Sequence, residues 1–293
     1  MARLYGINSK MRGKVGQFVY RQNMGNTVVS ELPAPKDTPV RTDANMRQRM
    51  MLANIVNFYK RTGKYLTPAF PNKAQNQSDY NAFMQANMQE NSIKIYLTKG
   101  MARSGACVAA SYKLTEGDLE SIGIQIDRDG FATSSIILGN DFVIDASTTV
   151  QEFSQQVVQH NRTFQNGDNI VVIAVSQRID PVTSYPTITV NTDRVKLDTN
   201  DASGTKLLNC VTPIGFTARD GYLSSGTVLT GGIAWIHTRE DANGKHVSTQ
   251  FLMGDNSYVE SYVTNEAREE AIQSYGGLNE ELYLLPRENE LIS

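Results

Sequence analysis

Phe164-Gln-Asn-Gly-Asp168, followed directly by Ile170-Val-Val-Ile-Ala-Val175, is the stretch that decides the fold class. An Asn-Gly turn that leads into a run of β-branched residues is typical of a strand entering a sheet. Three further runs of this type follow, at 187–195, 227–237 and 247–253. The last two flank Asp241-Ala-Asn-Gly244, a strong hairpin signal, so we expect antiparallel neighbours.

The same texture extends upstream to residue 93. Strands are predicted at 93–97, 107–112, 121–126, 131–138 and 142–145. One helix interrupts them, because Thr149-Val-Gln-Glu152 is a capping box and Val150, Phe153, Val157 and Val158 form one apolar stripe as far as Asn161. The pattern predicts a mainly β fold with α additions, an Ig-like or jelly-roll-like antiparallel β-sandwich over 93–259. A closed barrel is the alternative.

The N-terminal residues 1–40 form a different kind of segment. Gly13-Lys-Val-Gly-Gln-Phe-Val-Tyr-Arg21, a turn at Asn23-Met-Gly-Asn26 and the run 27–32 predict a β-hairpin. Pro33, Pro35 and Pro39 then predict an extended connector that cannot join a sheet. We therefore interpret 1–40 as a hairpin arm with a Pro-rich connector.

Helices are predicted on both sides of the β-rich body. In segment 41–92, Thr42 or Asp43 caps a helix that ends near Arg61, and Ser78 caps a second helix that ends near Asn91. The first helix is apolar over more than one face and must be covered on more than one side. Residues 260–293 predict an acidic helical tail, with helices at 265–275 and 278–285.

Charge divides the chain into two parts. The first 73 residues carry 13 Lys and Arg against three acidic residues, a net +10, whereas the remainder carries −12 and the whole chain −2. A basic segment beside an acidic one predicts attraction between copies or to an acidic partner. The predicted basic interaction residues, with their interleaved aromatics, are Arg12, Lys14, Phe18, Tyr20, Arg21, Arg47 and Arg49. The predicted acidic ones are Glu266, Glu269, Glu270, Glu280 and Glu281.

Residues with catalytic or metal-binding chemistry are sparse, so neither an enzyme nor a cofactor is predicted. His160, His237 and His246 lack metal-ligand spacing, and we interpret the last two as a cross-strand pair. Cys107 and Cys210 are predicted as free buried thiols in strands. Residues 100–105 have the outer spacing of a phosphate loop without its lysine and predict an ordinary loop. No apolar run approaches a membrane span, so no membrane partner is expected.

Several of these stretches resemble a known group of proteins. Gly13 to Arg21, together with Thr42-Asp-Ala-Asn-Met-Arg-Gln-Arg49, resembles the N-terminal signature of an uncharacterised Bacteroidetes family. Asp145-Ala-Ser-Thr-Thr-Val-Gln-Glu-Phe153 and Phe164 to Asp168 are similar to virion structural proteins of crAss-like phages. The resemblance implies a capsid, neck-ring or tail-ring subunit that is found in the virion and assembles in the host cytoplasm. It implies no functional residues.

Assembly through subunit contacts is the function that these patterns favour. The expected partners are other copies of the chain and other virion proteins, and a non-specific DNA contact through the basic arm stays open. We expect the first seventy or so residues to cover their apolar surface against another chain. The alternative is a carbohydrate-binding or adhesive β-sandwich, which needs an exposed aromatic platform, whereas Trp235 is predicted to lie in a strand core.

Overall fold

The structure is a computed structural model that describes residues 2–4, 12–23, 26–32, 43–89, 91–227, 230–254 and 257–275. Of these residues 27% are in helices and 33% in strands, and the sheets are antiparallel. The predicted mainly β class with helical additions is therefore confirmed. The Ig-like or jelly-roll-like sandwich type stays a prediction.

The N-terminal strands form a sheet of their own. The strands are β1 (Ala2–Leu4), β2 (Gly13–Val15), β3 (Phe18–Asn23) and β4 (Asn26–Glu31), in the order β1-β4-β3-β2. The predicted hairpin is confirmed as β3 and β4, and Gly16-Gln17 adds a second tight turn between β2 and β3. The Pro-rich connector lies outside the described residues.

Two helices follow, close to where the caps predict them. Helix α1 (Asp43–Thr62) leads into a 3-10 turn (Gly63–Tyr65), and α2 (Asp79–Asn87) begins where Ser78 Oγ accepts a hydrogen bond from Asn81 N. Helix α2 ends four residues before the predicted Asn91. The reason is Asn87, whose side chain binds the backbone N–H and C=O of Lys113 at 2.7 and 2.9 Å.

The predicted strands at 93–97 and 107–112 are wrong, and so is the loop between them. Helix α3 (Lys99–Ser104) occupies the phosphate-loop-like stretch, and Gly105 ends it in the left-handed conformation. Asn54 of α1 binds both the N–H and the C=O of Val108, at 2.8 and 2.9 Å. A side-chain amide thus replaces a neighbouring strand, so this apolar segment is buried without joining a sheet.

The remaining elements build three further sheets and four helices. In chain order they are β5 (Lys113–Thr115), β6 (Ile124–Ile126), β7 (Phe131–Ile137), α4 (Val150–His160), β8 (Asn169–Ile179), β9 (Pro186–Lys196), α5 (Leu207–Cys210), β10 (Phe216–Arg219), β11 (Tyr222–Thr227), β12 (Gly232–Asp241), β13 (Gly244–Val247), β14 (Gln250–Phe251), α6 (Ser257–Val263) and α7 (Asn265–Ser274). The sheets run β13-β12-β8-β9, β10-β11-β7-β6 and β14-β5.

Several predicted elements agree with this arrangement and others do not. The strands near 124, 131, 170 and 187, the crossover helix α4 and the hairpin at Asp241 to Gly244 are confirmed. The strand at 142–145 is absent, because Asp145 instead caps the turn that leads to α4. Strands β10 and β11 were not predicted, although Asp220-Gly221 joins them with positive φ at both residues, as a tight hairpin requires.

The sheet β13-β12-β8-β9 is buried on both faces. Val171, Ile173 and Val175 of β8 belong to one hydrophobic core, which α1 and α2 cover. Ile170 and Val172 belong to a second core, shared with α4 and with β7, β10 and β11. This division follows from the alternation of side chains along a strand.

Helix α1 lies inside the first core. Its Met50, Ile55 and Phe58 are at most 3% exposed, so the helix is covered on more than one side, as its sequence predicts. The cover comes from α2, α3, β9 and α7 of the same chain. For this helix the expectation that another chain must cover its apolar surface is therefore wrong.

Candidate functional site

The exposed apolar surface of the N-terminal sheet is concentrated at one end. Val15 and Phe18 lie opposite each other across the β2–β3 hairpin and are 53% and 49% exposed. Among the residues whose burial is described, neither hydrophobic core includes any from β1 to β4. The sheet therefore presents an apolar pair to its surroundings instead of packing it into the body.

Basic residues surround this pair but lie on the opposite face of the sheet. Lys14 pairs with Val19, and Arg21 pairs with Val28. Because side chains alternate between faces along a strand, Lys14 and Arg21 lie on one face of the sheet, and Phe18 and the half-buried Tyr20 lie on the other. Arg12, Lys14 and Arg21 are all exposed. The sheet thus has an aromatic face and a basic face. The sequence pattern implies cations interleaved with stacking rings, but the structure places the cations and the rings on opposite faces.

The other two predicted basic residues lie on α1. Arg49 is exposed near the start of the helix. The Arg47 side chain lies outside the described residues. Burial raises the pKa of Tyr275, and the charges of Arg103 and Arg49 oppose part of this increase, so Arg49 lies close to the end of α7, against which α1 packs. The structure thus brings one basic residue of the prediction near the acidic helix of the same chain.

Helix α7 presents its predicted acidic residues to solvent. Glu266, Glu269 and Glu270 are exposed, and none forms an ion pair with a cation of the described segments. The opposite side of the helix is fixed to the body, where Ala271 is fully buried and Ser274 Oγ accepts a hydrogen bond from Lys99 N at 2.9 Å. Glu280 and Glu281 lie outside the described residues.

A buried polar cluster joins the turn before β8 to strand β12. Asp168 is 1% exposed, and its Oδ2 accepts hydrogen bonds from His237 Nε2 and Arg239 Nη2, both at 2.7 Å. Its Oδ1 accepts from Arg239 Nε at 2.8 Å. Burial raises the pKa of Asp168, but the Arg239 and His237 hydrogen bonds outweigh it and lower the value to about 2.

This cluster accounts for the stretch Phe164 to Asp168. The Phe164 ring stacks on the His237 imidazole at 4.1 Å between centroids, and Arg239 Nη2 also donates to Thr163 O. Sequence analysis missed the cluster, because an ordinary turn aspartate and a strand histidine 69 positions apart carry no spacing signal. The arrangement holds the turn against the sheet and leaves the carboxylate inaccessible to a ligand.

The interpretation of His237 and His246 as a cross-strand pair is wrong. His246 lies opposite Arg239, whereas His237 lies two residues before Arg239 on β12, in the cluster with Asp168. His246 Nδ1 instead contacts Asp118 Oδ2 at 2.6 Å, and its Nε2 contacts Asp241 Oδ1 at 3.3 Å. The Asp118 hydrogen bond is the largest contribution to a raised pKa of His246.

The two cysteines differ in surroundings. Cys107 is buried, as predicted, and burial raises the pKa of its thiol to about 12. Cys210 is exposed at the end of α5, so its prediction as a buried strand residue is wrong. Within the described segments, no group of three His, Cys, Asp or Glu side chains is arranged to hold a metal ion. None of the described helices has the length and hydropathy to cross a bilayer.

Trp235 lies in the second core and is fully buried, as its strand context predicts. It therefore offers no platform for a sugar ring. Comparison of the chain with protein-family models, with curated proteins and with solved structures finds no match.

Proposed function

We propose that the chain is a virion structural or assembly subunit, capsid-associated or part of a neck or tail ring, that acts through subunit contacts. Its partners are other copies of itself and other virion proteins. The assignment to a virion rests on the resemblance of the stretches that begin at Gly13, Thr42, Asp145 and Phe164.

The observation that carries the contact role is the exposed pair Val15 and Phe18 on a sheet outside both cores. A partner that covers the exposed apolar pair of this sheet removes that surface from water, which favours association. The N-terminal sheet is thus a surface where a partner contact would bury exposed apolar side chains.

Size-exclusion chromatography with light scattering tests this role. The Val15→Ser, Phe18→Ser double variant is expected to shift the distribution towards monomer, because it removes the apolar contact and leaves the cores untouched. Ile179→Ser with Val182→Ser is the matched control, since these residues are also exposed, at 48% and 89%, at the β8–β9 turn. An unchanged distribution in the first variant, or an equal change in the control, contradicts the proposal.

Charge reversal tests which surface receives the arm. We propose that Lys14 and Arg21 of one copy face Glu266 and Glu269 of another. Lys14→Glu with Arg21→Glu is expected to weaken association at low salt, and adding Glu266→Lys with Glu269→Lys to the same chain is expected to restore it. If the combined variant associates no better than the arm variant, the two surfaces are not in contact.

A further inference from the structure

A polar groove of about 340 Å³ lies beside helix α2, away from the N-terminal sheet residues and α7. One wall is the face of α2 that carries Ala82, Gln85 and Ala86, continued by Gln89, at helical spacings of three and four residues. The loop between the 3-10 turn and α2, with Asn72 and Gln77, forms the other wall. The volume is within the range of about 300–1,000 Å³ that is usual for small-molecule sites.

Primary amides dominate the hydrogen-bonding groups of this groove. Gln77 Nε2 donates to Gln85 Oε1 at 2.9 Å, which leaves the Gln85 NH₂ group available. The side chains of Asn72 and Gln89 form no hydrogen bond within the part of the chain that the structure describes. Each free amide offers two donors and an acceptor. The groove can therefore both donate to and accept from one ligand.

The charged residues at the groove are neutralised by partners. Lys73 Nζ lies 2.9 Å from Asp79 Oδ1, and Glu116 Oε2 lies 3.1 Å from Lys113 Nζ. A charged ligand would have to compete with these pairs, whereas a neutral ligand would not. Ala82 and Ala86 have small side chains, which leave room for a ring between the amides.

We infer that this groove binds a neutral oligosaccharide. Sugar hydroxyl groups donate and accept in turn, which matches side-chain amides, and the C–H face of a pyranose ring suits the alanine floor. Trp235 is not involved, so this site differs from the aromatic platform that a carbohydrate-binding sandwich was expected to need. The inference is independent of the proposed assembly role, because it uses no residue of the N-terminal sheet or of α7.

Titration calorimetry with a panel of neutral trisaccharides, maltotriose, cellotriose and chitotriose, tests the inference on the full chain. At least one is expected to bind saturably with a dissociation constant in the range of about 1 mM. Gln85→Ala with Gln89→Ala is expected to weaken that binding by about tenfold, because it removes side-chain hydrogen bonds on one wall. Both residues are exposed, so the two substitutions are expected to leave the fold intact.

Gln159→Ala with Gln273→Ala is the matched control, since both amides are exposed on other helices. The trisaccharide affinity of this control variant is expected to stay within about twofold of the wild-type value. Absence of saturable binding by every trisaccharide overturns the inference. Equal binding by the groove variant and the wild type also overturns it. If the chain binds a neutral hydrophilic peptide but none of the trisaccharides, the assignment to carbohydrate is overturned. Light scattering of the same samples reports assembly separately.

Discussion

Asp168 is a carboxylate in a place where an unpaired charge would be costly. It is 1% exposed, yet it receives two hydrogen bonds from Arg239, one from His237 and one from Gln165 N at 2.9 Å. Buried charges persist in proteins where partners of this kind compensate the loss of water. At the residue scale, this compensation explains why the turn before β8 is held in place.

Asp168→Asn is expected to destabilise the fold by about 3–5 kcal/mol, because Arg239 would lose its only carboxylate in this cluster and remain partly buried. Urea unfolding at pH 7 measures the change. The pKa of Asp168 is lowered to about 2, so the stability from its charge is present above pH 3.8 and is lost as the pH falls towards 2. The difference in the free energy of unfolding between the variant and the wild type is therefore expected to shrink as the pH falls from 3.8 towards 2.

Asp129→Asn is the control for this substitution, because Asp129 is exposed in the turn between β6 and β7 and is expected to change stability little. An Asp168→Asn protein as stable as the Asp129→Asn protein would show that the cluster contributes nothing.

His246 gives a pH dependence of opposite sign. Its hydrogen bond to Asp118 raises its pKa above 6.5, so the stability from this contact is complete below pH 6.5 and is lost as the pH rises through the raised value. His246→Gln is expected to lower the urea midpoint at pH 6. The two midpoints are expected to agree once the pH exceeds the raised pKa of His246. A midpoint difference that does not vary with pH would contradict this interpretation.

At the scale of elements, helix α4 shows how local chemistry starts a helix. Thr149 Oγ1 accepts a hydrogen bond from Glu152 N at 3.2 Å, and Glu152 Oε2 accepts one from Thr149 N at 2.8 Å, which completes the capping box. Phe153 and Val157 then face the second core and are fully buried. The cap and the apolar stripe are both local features, and both are predicted correctly from the sequence.

Thr149→Ala is expected to cost about 1 kcal/mol of stability, because the first turn loses its side-chain acceptor. Thr149→Ser keeps the hydroxyl oxygen and is expected to cost much less, which makes it the matched control. Chemical unfolding of the three proteins measures both effects. Equal losses in the Ala and Ser variants would assign the effect to the missing methyl group instead of the cap.

The strands that were predicted wrongly fail for a reason that is not local. Segments 93–97 and 107–112 have the apolar content of strands, and most of their apolar residues are buried. Their backbone groups bind partners far along the chain, such as Asn54 for Val108, Gln177 for Ala109 and Tyr262 for Tyr96. Such partners cannot be read from the segment itself.

At the scale of the whole molecule, the two-sided sheet β13-β12-β8-β9 organises both cores. Helices α1 and α2 cover one face, and α4 with the second four-stranded sheet covers the other. The segments 41–92 and 93–259 therefore share one of the two cores. The N-terminal sheet contributes to neither among the residues whose burial is described.

Deletion of residues 1–32 is consequently expected to leave the thermal unfolding of the body nearly unchanged while it removes self-association. Truncation has little effect where the removed backbone has few contacts with the rest. Deletion through residue 62 is expected to abolish cooperative unfolding, because Ile55 and Phe58 leave the first core. Calorimetry with light scattering measures the effect of both deletions. If the protein without residues 43–62 still unfolds cooperatively, the helix is not part of a shared core.

The sequence by itself determined the mainly β class, the N-terminal hairpin, the starts of α1, α2 and α4, and the exposure of Arg12, Lys14 and Arg21. These follow from turn residues, caps and alternation, which act within a few positions. Only the tertiary structure decided the path of 93–112, the Asp168–His237–Arg239 cluster and the amide groove. Each of these joins groups that are distant along the chain, and local preference carries no information about which distant partner a buried polar group will find.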